Sequence, residues 1–208
     1  MMAWRGLEGL RTVLCLGAHC DDIEIGCGGL LQCLPAGIEL HAVVFSGNEI
    51  REAETRQAIS QLAGQTSLSI AVQNHPDGRF PSAWESIKRD FEALKTDLNP
   101  DLILTHHRQD KHQDHRVVAE LTWNTWRNHT ILEYEILKYD DDLSTPNVFL
   151  PLKDAQATKK AGVVVSTFRS QAGKAWMTED ALLALMRVRG VQVQERYAEG
   201  YYAPKLRI

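Results

Sequence analysis

The chain predicts an α/β fold, namely a Rossmann-like three-layer arrangement with a mostly parallel sheet and helices on both faces. Three observations predict it. Strand-like runs alternate with segments of helical length, the strand-like runs are largely apolar, and breaker residues separate the two kinds of segment. No repeat or linker divides the 208 residues, so we expect one domain over 1–208, long enough to bury roughly 70% of its unfolded surface.

Five runs are predicted to be strands because they are short, largely apolar and partly β-branched. They are 12–18, 39–45, 67–73, 101–105 and 130–137. Segments long enough for a crossover helix separate most of these runs, and such connections join parallel strands. The predicted sheet is therefore mostly parallel.

Six segments are predicted to be helices. They are 26–35, 50–63, 82–96, 113–127, 152–168 and 179–189. In 82–96, for example, apolar side chains recur every three or four residues, and Ser82 is placed to cap the first turn. Gly190 is predicted to end the last helix. Gly26 and the two glycines at 28 and 29 are predicted to allow close packing of the first helix rather than to cradle a phosphate.

Composition excludes several classes of function. The formal net charge is −4 and no long basic run occurs, so nucleic acid is not an expected partner. No apolar stretch approaches the ~20 residues of a membrane span, and we expect a cytoplasmic protein. The sequence also allows a homo-oligomer. Four cysteines are predicted to be reduced thiols, because all lie in one short segment without a C-x-x-C pair; they are Cys15, Cys20, Cys27 and Cys33.

Two short clusters of histidine and aspartate stand at predicted strand ends. His19, Asp21 and Asp22 follow the first strand, and the segment 111–115 follows the fourth. Arg51 comes after the second strand. In open parallel sheets, ligands bind beyond the carboxyl ends of the strands. We therefore expect these side chains to meet at one edge of the sheet.

Two histidines and one aspartate can hold a metal ion and leave a position open for water. The adjacent carboxylates of Asp21 and Asp22 are expected to have different roles: one binds the metal, and the other acts as general base. His115 is placed as a further ligand, and His112 stands beside it on the same helical face. Asp114 can orient a histidine. An alternative is that Asp22 only caps the following helix.

The same residues resemble the motifs of a known family, the PIG-L/LmbE-like de-N-acetylases. Residues 17–29 resemble its first motif, and residues 105–116 resemble its second. Weaker matches are Arg51-x-x-Glu54, Ser170-Gln171 and the closing segment 197–201. Cys20 stands where the family often has proline or alanine.

The resemblance implies a zinc-dependent hydrolase that removes the N-acetyl group of an amino sugar, an N-acetylglucosamine-type derivative, releasing acetate and the free amine. It also implies three zinc ligands, a general base, and an electrostatic or acid group with the carboxylate that orients it. The implied zinc ligands are His19, Asp22 and His115, and the implied general base is Asp21. His112 is the implied electrostatic or acid group, and Asp114 is the carboxylate that orients it.

Several points stay open at this stage. Arg51, Asp110 and Arg116 are predicted to contact the substrate; for Arg51 the alternative is an ion pair with Glu54, one helical turn away. The polar stretch 138–147 is predicted to shape the pocket, with a solvated loop or a subunit contact as the alternative. The metal (Zn²⁺, Fe²⁺ or Co²⁺) and the aglycone are undetermined. Rival functions are an amidase for another acylated amino-sugar conjugate and a non-catalytic Rossmann-like protein that binds a metal or a sugar.

Overall fold

The computed structural model describes residues 7–206, and within them the chain forms seven strands and six α-helices. The strands are β1 (Thr12–His19), β2 (Glu39–Ser46), β3 (Ser67–Val72), β4 (Leu102–His106), β5 (Thr130–Tyr134), β6 (Val148–Leu152) and β7 (Tyr197–Tyr202). The helices are α1 (Asp22–Cys33), α2 (Glu49–Leu62), α3 (Trp84–Asp97), α4 (Gln113–Thr125), α5 (Asp154–Thr167) and α6 (Glu179–Gln192). Short 3₁₀ turns lie at Phe80–Ala83 and Arg169–Gln171.

The strands form one mixed sheet in the order β3-β2-β1-β4-β5-β7-β6. The first five strands are parallel to one another, whereas β7 pairs antiparallel with both β5 and β6. Apolar residues of α1, α2, α5 and α6 join one core cluster, and those of α3 and α4 join the other. Helices therefore cover both faces, which confirms the predicted three-layer α/β fold.

Strand β1 shows why its sequence belongs at the centre of the sheet. Val13 and Cys15 point into one core cluster, and Leu14 and Leu16 point into the other. Because successive side chains of a strand alternate between faces, an uninterrupted apolar run suits a strand that is covered on both sides.

The sequence did not predict β6 and β7. Pro151 interrupts β6, and proline is tolerated in a sheet at its edge, which is where β6 lies. Gly200 lies within β7 and weakens its apolar pattern; a Cβ atom there would lie 2.7 Å from Pro146. The predicted strand 130–137 ends at Tyr134. No helix of residues 7–206 is long and apolar enough to cross a membrane.

Helix α1 begins earlier than predicted and bends where its glycines lie. It starts at Asp22, immediately after β1, and Cys27 has non-helical angles (φ −137°, ψ 20°) that divide it. A Cβ on Gly26 would lie 2.2 Å from the ring of Tyr134, so the predicted close packing is confirmed. Gly190 does not end α6, which continues to Gln192; instead the backbone of Arg196 passes where a Cβ would stand, 2.6 Å away.

Candidate active site

The carboxyl ends of the parallel strands open onto a cavity of about 410 Å³. Six of the nine predicted site residues line it: His19, Asp21, Asp22, Arg51, His112 and His115. They come from the connections that follow β1, β2 and β4. The three strand ends therefore meet at one site, as their placement in the sequence predicted.

The metal-binding atoms of three of these residues lie very close together. His19 Nδ1 is 3.3 Å from His115 Nε2 and 3.5 Å from Asp22 Oδ2. His115 Nε2 is 3.4 Å from Asp22 Oδ1. Ligand atoms around a tetrahedral zinc ion are separated by about 3.3 Å, given metal–nitrogen bonds near 2.0–2.1 Å. These three side chains could therefore hold one metal ion.

In both His19 and His115, the ring nitrogen that does not face the other ligands lies against a carboxylate. His19 Nε2 lies 3.1 Å from Asp114 Oδ2, which also accepts the backbone N–H of Gly78 (2.7 Å). His115 Nδ1 lies 3.0 Å from Asp110 Oδ2. Carboxylates that bind the second nitrogen of a metal-binding histidine fix its tautomer and raise its basicity.

These contacts correct two expectations from the sequence. The carboxylate of Asp114 orients His19 and not His112; His112 caps α4, and its Nδ1 accepts only the backbone N–H of Asp114 (3.3 Å). Asp110 is buried and occupied by His115 and by the backbone N–H of His112 (2.7 Å). It is thus not free to bind a substrate.

Arg116 was also expected to contact the substrate, but the structure places it outside the cavity. Its guanidinium turns back and donates to the carbonyl oxygens of Asp110 (3.0 Å) and Lys111. Because Arg116 follows His115 directly on α4, its side chain points to another side of the helix. Arg116 therefore stabilises the loop that leads into α4.

Asp21 occupies a strained backbone position beside His19, Asp22 and His115. Its φ angle is 115°, in the left-handed region, which costs a non-glycine residue roughly 1–3 kcal/mol and is tolerated best by Asn and Asp. Asp21 Oδ2 lies 3.1 Å from Nη2 of Arg51, which also donates to the carbonyl of Cys20. Asp21 Oδ1 makes no hydrogen bond to residues 7–206.

Negative charge exceeds positive charge in this cluster. Burial, with the neighbouring charge of Asp22, raises the pKa of Asp21 to about 7. Burial, with the nearby ring of His106, lowers the pKa of His115 to about 4, so His115 is neutral at pH 7, the form that binds metals. Burial would lower the pKa of His19, yet the carboxylates around its ring hold that pKa well above its usual range. The donor set fits a divalent cation.

His106, for which the sequence indicated no role, lies directly behind the cluster. It is fully buried at the end of β4, and its ring stacks on that of His115 at 3.9 Å between centroids. Its Nε2 accepts the backbone N–H of Ala18 (3.0 Å) and lies 3.2 Å from Asp22 Oδ2. His106 thus joins the ends of β1 and β4 beneath the ligands.

Further residues line the cavity, and the sequence predicted only some of them. Asp77 lies 3.1 Å from His19 Nε2, in the loop after β3. Lys138, Tyr139 and Asp140 belong to the stretch 138–147, which does shape the cavity as predicted. Lys174 and Trp176 come from the loop between the second 3₁₀ turn and α6. No local pattern marks either of them, because both reach the site through the tertiary fold.

Comparison with known proteins gives one family match. The model of the GlcNAc-PI de-N-acetylase family, PIG-L, matches residues 14–126. A curated relative, the uncharacterized deacetylase YaiS of Escherichia coli K12, is 31% identical over 169 residues, which are 72% of this chain and 86% of the relative.

Solved structures show the same fold at lower sequence identity. The N,N'-diacetylchitobiose deacetylase of Pyrococcus horikoshii is 21% identical, with a TM-score of 0.73 over 97% of this chain and 86% of its own. The 4-carboxy-2-hydroxymuconate hydratase GalB of Pseudomonas putida KT2440 is 17% identical, with a TM-score of 0.75 over 95% and 98%. A fold shared by a deacetylase and a hydratase does not by itself determine the reaction.

Proposed function

This chain belongs to the PIG-L family, a family of deacetylases, as its motifs predicted, and we propose that it is a zinc-dependent hydrolase that removes the N-acetyl group of an amino sugar. The observation that carries the proposal is the arrangement of His19, Asp22 and His115, whose donor atoms lie 3.3–3.5 Å apart. Two imidazoles and one carboxylate with an open position are typical of catalytic zinc sites. A zinc ion held there would supply Lewis acidity toward the acetamide carbonyl.

Asp21 is proposed as the general base. Arg51 holds its Oδ2 and leaves Oδ1 unoccupied, so Oδ1 is the atom that accepts a proton from the attacking water. The water oxygen forms the new bond to the carbonyl carbon, and the carbonyl becomes a tetrahedral oxyanion. Because Asp21 is almost fully buried at 5% exposure, bulk water does not compete for this proton transfer.

His112 is proposed to stabilise that oxyanion. Its ring lies 4.9 Å from the ring of His19 and 4.5 Å from that of His115, between centroids. Its Nδ1 is engaged by the backbone of α4, which leaves Nε2 available on the cavity side. The C–N bond then breaks as the nitrogen takes from Asp21 the proton that Asp21 accepted from the water, and acetate and the free amine are released. His112 keeps its single ring proton, because its Nδ1 accepts the backbone N–H of Asp114 and is not protonated.

Acetate release from a panel of N-acetylglucosamine derivatives, measured together with bound metal, tests this function. We expect Asp21→Asn to keep its zinc and to lose about 10²–10⁴-fold in kcat, the usual contribution of a general base. Asp97→Asn, an exposed aspartate on α3, is the matched control and keeps full activity. Full activity of Asp21→Asn, or no acetate from any derivative, contradicts the proposal.

The same panel separates the rival functions. Derivatives carrying a longer acyl group in place of acetyl detect an amidase with another specificity. A protein that binds zinc and the sugars but releases no acid is a binding protein. Selective release of acetate supports the deacetylase.

A further inference from the structure

The rim of the cavity carries a lysine that the proposed chemistry does not use. Lys174 lies in the loop 172–177, which closes one side of the cavity together with Trp176. This loop contacts the stretch 138–147 from the other side, since the Tyr139 hydroxyl accepts the backbone N–H of Ala175 (3.1 Å).

Lys174 is exposed, yet its ammonium is held in place from two sides. Its Nζ donates to Oε1 of Gln171, a residue that is 7% exposed. The same Nζ lies 5.1 Å from the ring centroid of Trp176, within the range of a cation–π interaction. A freely moving surface lysine would make neither contact.

A chain of hydrogen bonds ties this lysine to the helix that carries Arg51. The amide of Gln171 donates to the hydroxyl of Ser170 (3.1 Å). Ser170 in turn donates from its hydroxyl (2.5 Å) and its backbone (2.9 Å) to the carboxylate of Glu54 on α2. The two weaker motifs, Arg51-x-x-Glu54 and Ser170-Gln171, are therefore in contact, and together they fix the loop that carries Lys174.

Lys174 differs from the other cations of the cavity in that no carboxylate of the described residues pairs with it. Arg51 is paired with Asp21 at 3.1 Å. Lys138 is paired with Asp110 at 3.1 Å and also contacts Asp142. Within residues 7–206, Lys174 forms no ion pair with a carboxylate. It is a positioned cation at the rim that has no carboxylate partner in contact among the described residues.

We propose that Lys174 binds an anionic group, a carboxylate or a phosphate, on the aglycone of the amino sugar. This inference rests on the proposed function and narrows its substrate to acidic N-acetylated sugar conjugates. A positioned ammonium gives a charge-assisted hydrogen bond to such an anion. The purely structural lysine of this chain looks different: Lys160 is buried and lies 2.6 Å from the carboxylate of Glu199.

Matched substrates test the inference. Three N-acetylglucosaminides of similar size are compared, with a carboxylate, a phosphate monoester, or the neutral amide on the aglycone. We expect kcat/KM to be about 10–100-fold higher for at least one anion than for the amide, as a hydrogen bond to a charged group provides. The anion with the higher kcat/KM identifies the group that is recognised.

Variants then assign the preference to Lys174. Lys174→Met is expected to raise KM for the preferred anion about 10–100-fold and to change KM for the neutral amide much less, so that the ratio of kcat/KM between anion and amide falls toward one. Lys174→Arg keeps the charge and most of the preference. Lys95→Met, an exposed lysine on α3, is the control and behaves as wild type.

The outcomes separate this inference from the function on which it rests. Hydrolysis of all three substrates with equal kcat/KM overturns the role of Lys174 alone, as does a preference that survives Lys174→Met. Failure to hydrolyse any of them overturns the deacetylase function and this inference with it.

Discussion

Helix α1 has a buried acidic group near each end, and the two groups differ in how their charge is compensated. Near its last turns, the carboxylate of Glu199 receives four donors. These are the backbone N–H groups of Gly29 (2.6 Å) and Leu30 (2.7 Å), the ammonium of Lys160 (2.6 Å) and the hydroxyl of Tyr201 (2.7 Å). At the first turn, the pair Asp21 and Asp22 is buried, and within residues 7–206 Arg51 is the one arginine or lysine that forms an ion pair with it.

This difference separates a structural carboxylate from the two carboxylates that are proposed to act in the reaction. Glu199 supports α1 just beyond its bend at Cys27, where the regular helical hydrogen bonds are interrupted. Its hydrogen-bonding capacity is used, so it has none left for a ligand. Asp21 keeps an oxygen that makes no hydrogen bond to residues 7–206. Asp22 uses Oδ2 to accept the backbone N–H of His19 (2.6 Å) and keeps Oδ1 near His115 Nε2 (3.4 Å), where a divalent cation would complete the site.

The largest expected effect concerns the metal ligands. We expect Asp22→Ala to lower bound zinc from about one ion per chain to less than about 0.1 and to abolish acetate release, because it removes one of three ligands. His112→Ala is expected to keep its zinc while losing about 10²–10³-fold in kcat. Metal analysis of both purified variants checks this. If His112→Ala loses the zinc and Asp22→Ala keeps it, the ligand assignment is wrong.

The next largest effect concerns Glu199, whose carboxylate already accepts four hydrogen bonds. Glu199→Gln leaves the buried ammonium of Lys160 without its counter-charge, and breaking such a pair costs about 3–5 kcal/mol of unfolding free energy. Urea denaturation measures this loss, and zinc binding of the variant is expected to stay intact. Glu195→Gln, an exposed neighbour in sequence, is the control and is expected within ±0.5 kcal/mol of wild type. Lost zinc with unchanged stability contradicts a structural role.

The smallest expected effect concerns the buried carboxylate of Asp21 in the metal-free protein. The pKa of Asp21 is raised to about 7, so its contribution to stability is present below the usual carboxyl pKa of 3.8 and is lost as the pH rises through about 7. With zinc removed by a chelator, Asp21→Asn is therefore expected to be about 1–3 kcal/mol more stable than wild type at pH 8. At pH 4 the two should unfold alike. Destabilisation by Asp21→Asn at pH 8 would contradict the comparison.

The sequence predicted those strands and site residues that a local sequence pattern marks. Apolar runs identify β1, β2, β4 and their neighbours, because strands buried on both faces leave no polar positions. The clusters around His19 and His115 could be brought together because the ends of parallel strands share an edge. That edge, and six of the nine residues predicted to lie on it, agree with the structure.

What the sequence could not provide is the direction of each side chain and the contacts from distant segments. Asp110, Asp114 and Arg116 all border the second motif, but the first two face histidines and the third faces backbone carbonyls. The turn geometry before α4 decides this, and residue spacing does not show it. Lys174 is about 150 positions beyond the first motif, and contacts between distant segments, Glu54 with Ser170 and Tyr139 with Ala175, bring its loop to the cavity.

The left-handed backbone of Asp21, together with the role proposed for its carboxylate, restricts which residues could replace it. Asparagine accepts the conformation but cannot take a proton as a carboxylate does, and glycine accepts it without any side chain. Glutamate brings the carboxylate but extends it by one methylene and tolerates a φ of 115° poorly. Under the proposed role of Asp21 as general base, each of these three substitutions therefore loses either the backbone fit or the proton transfer.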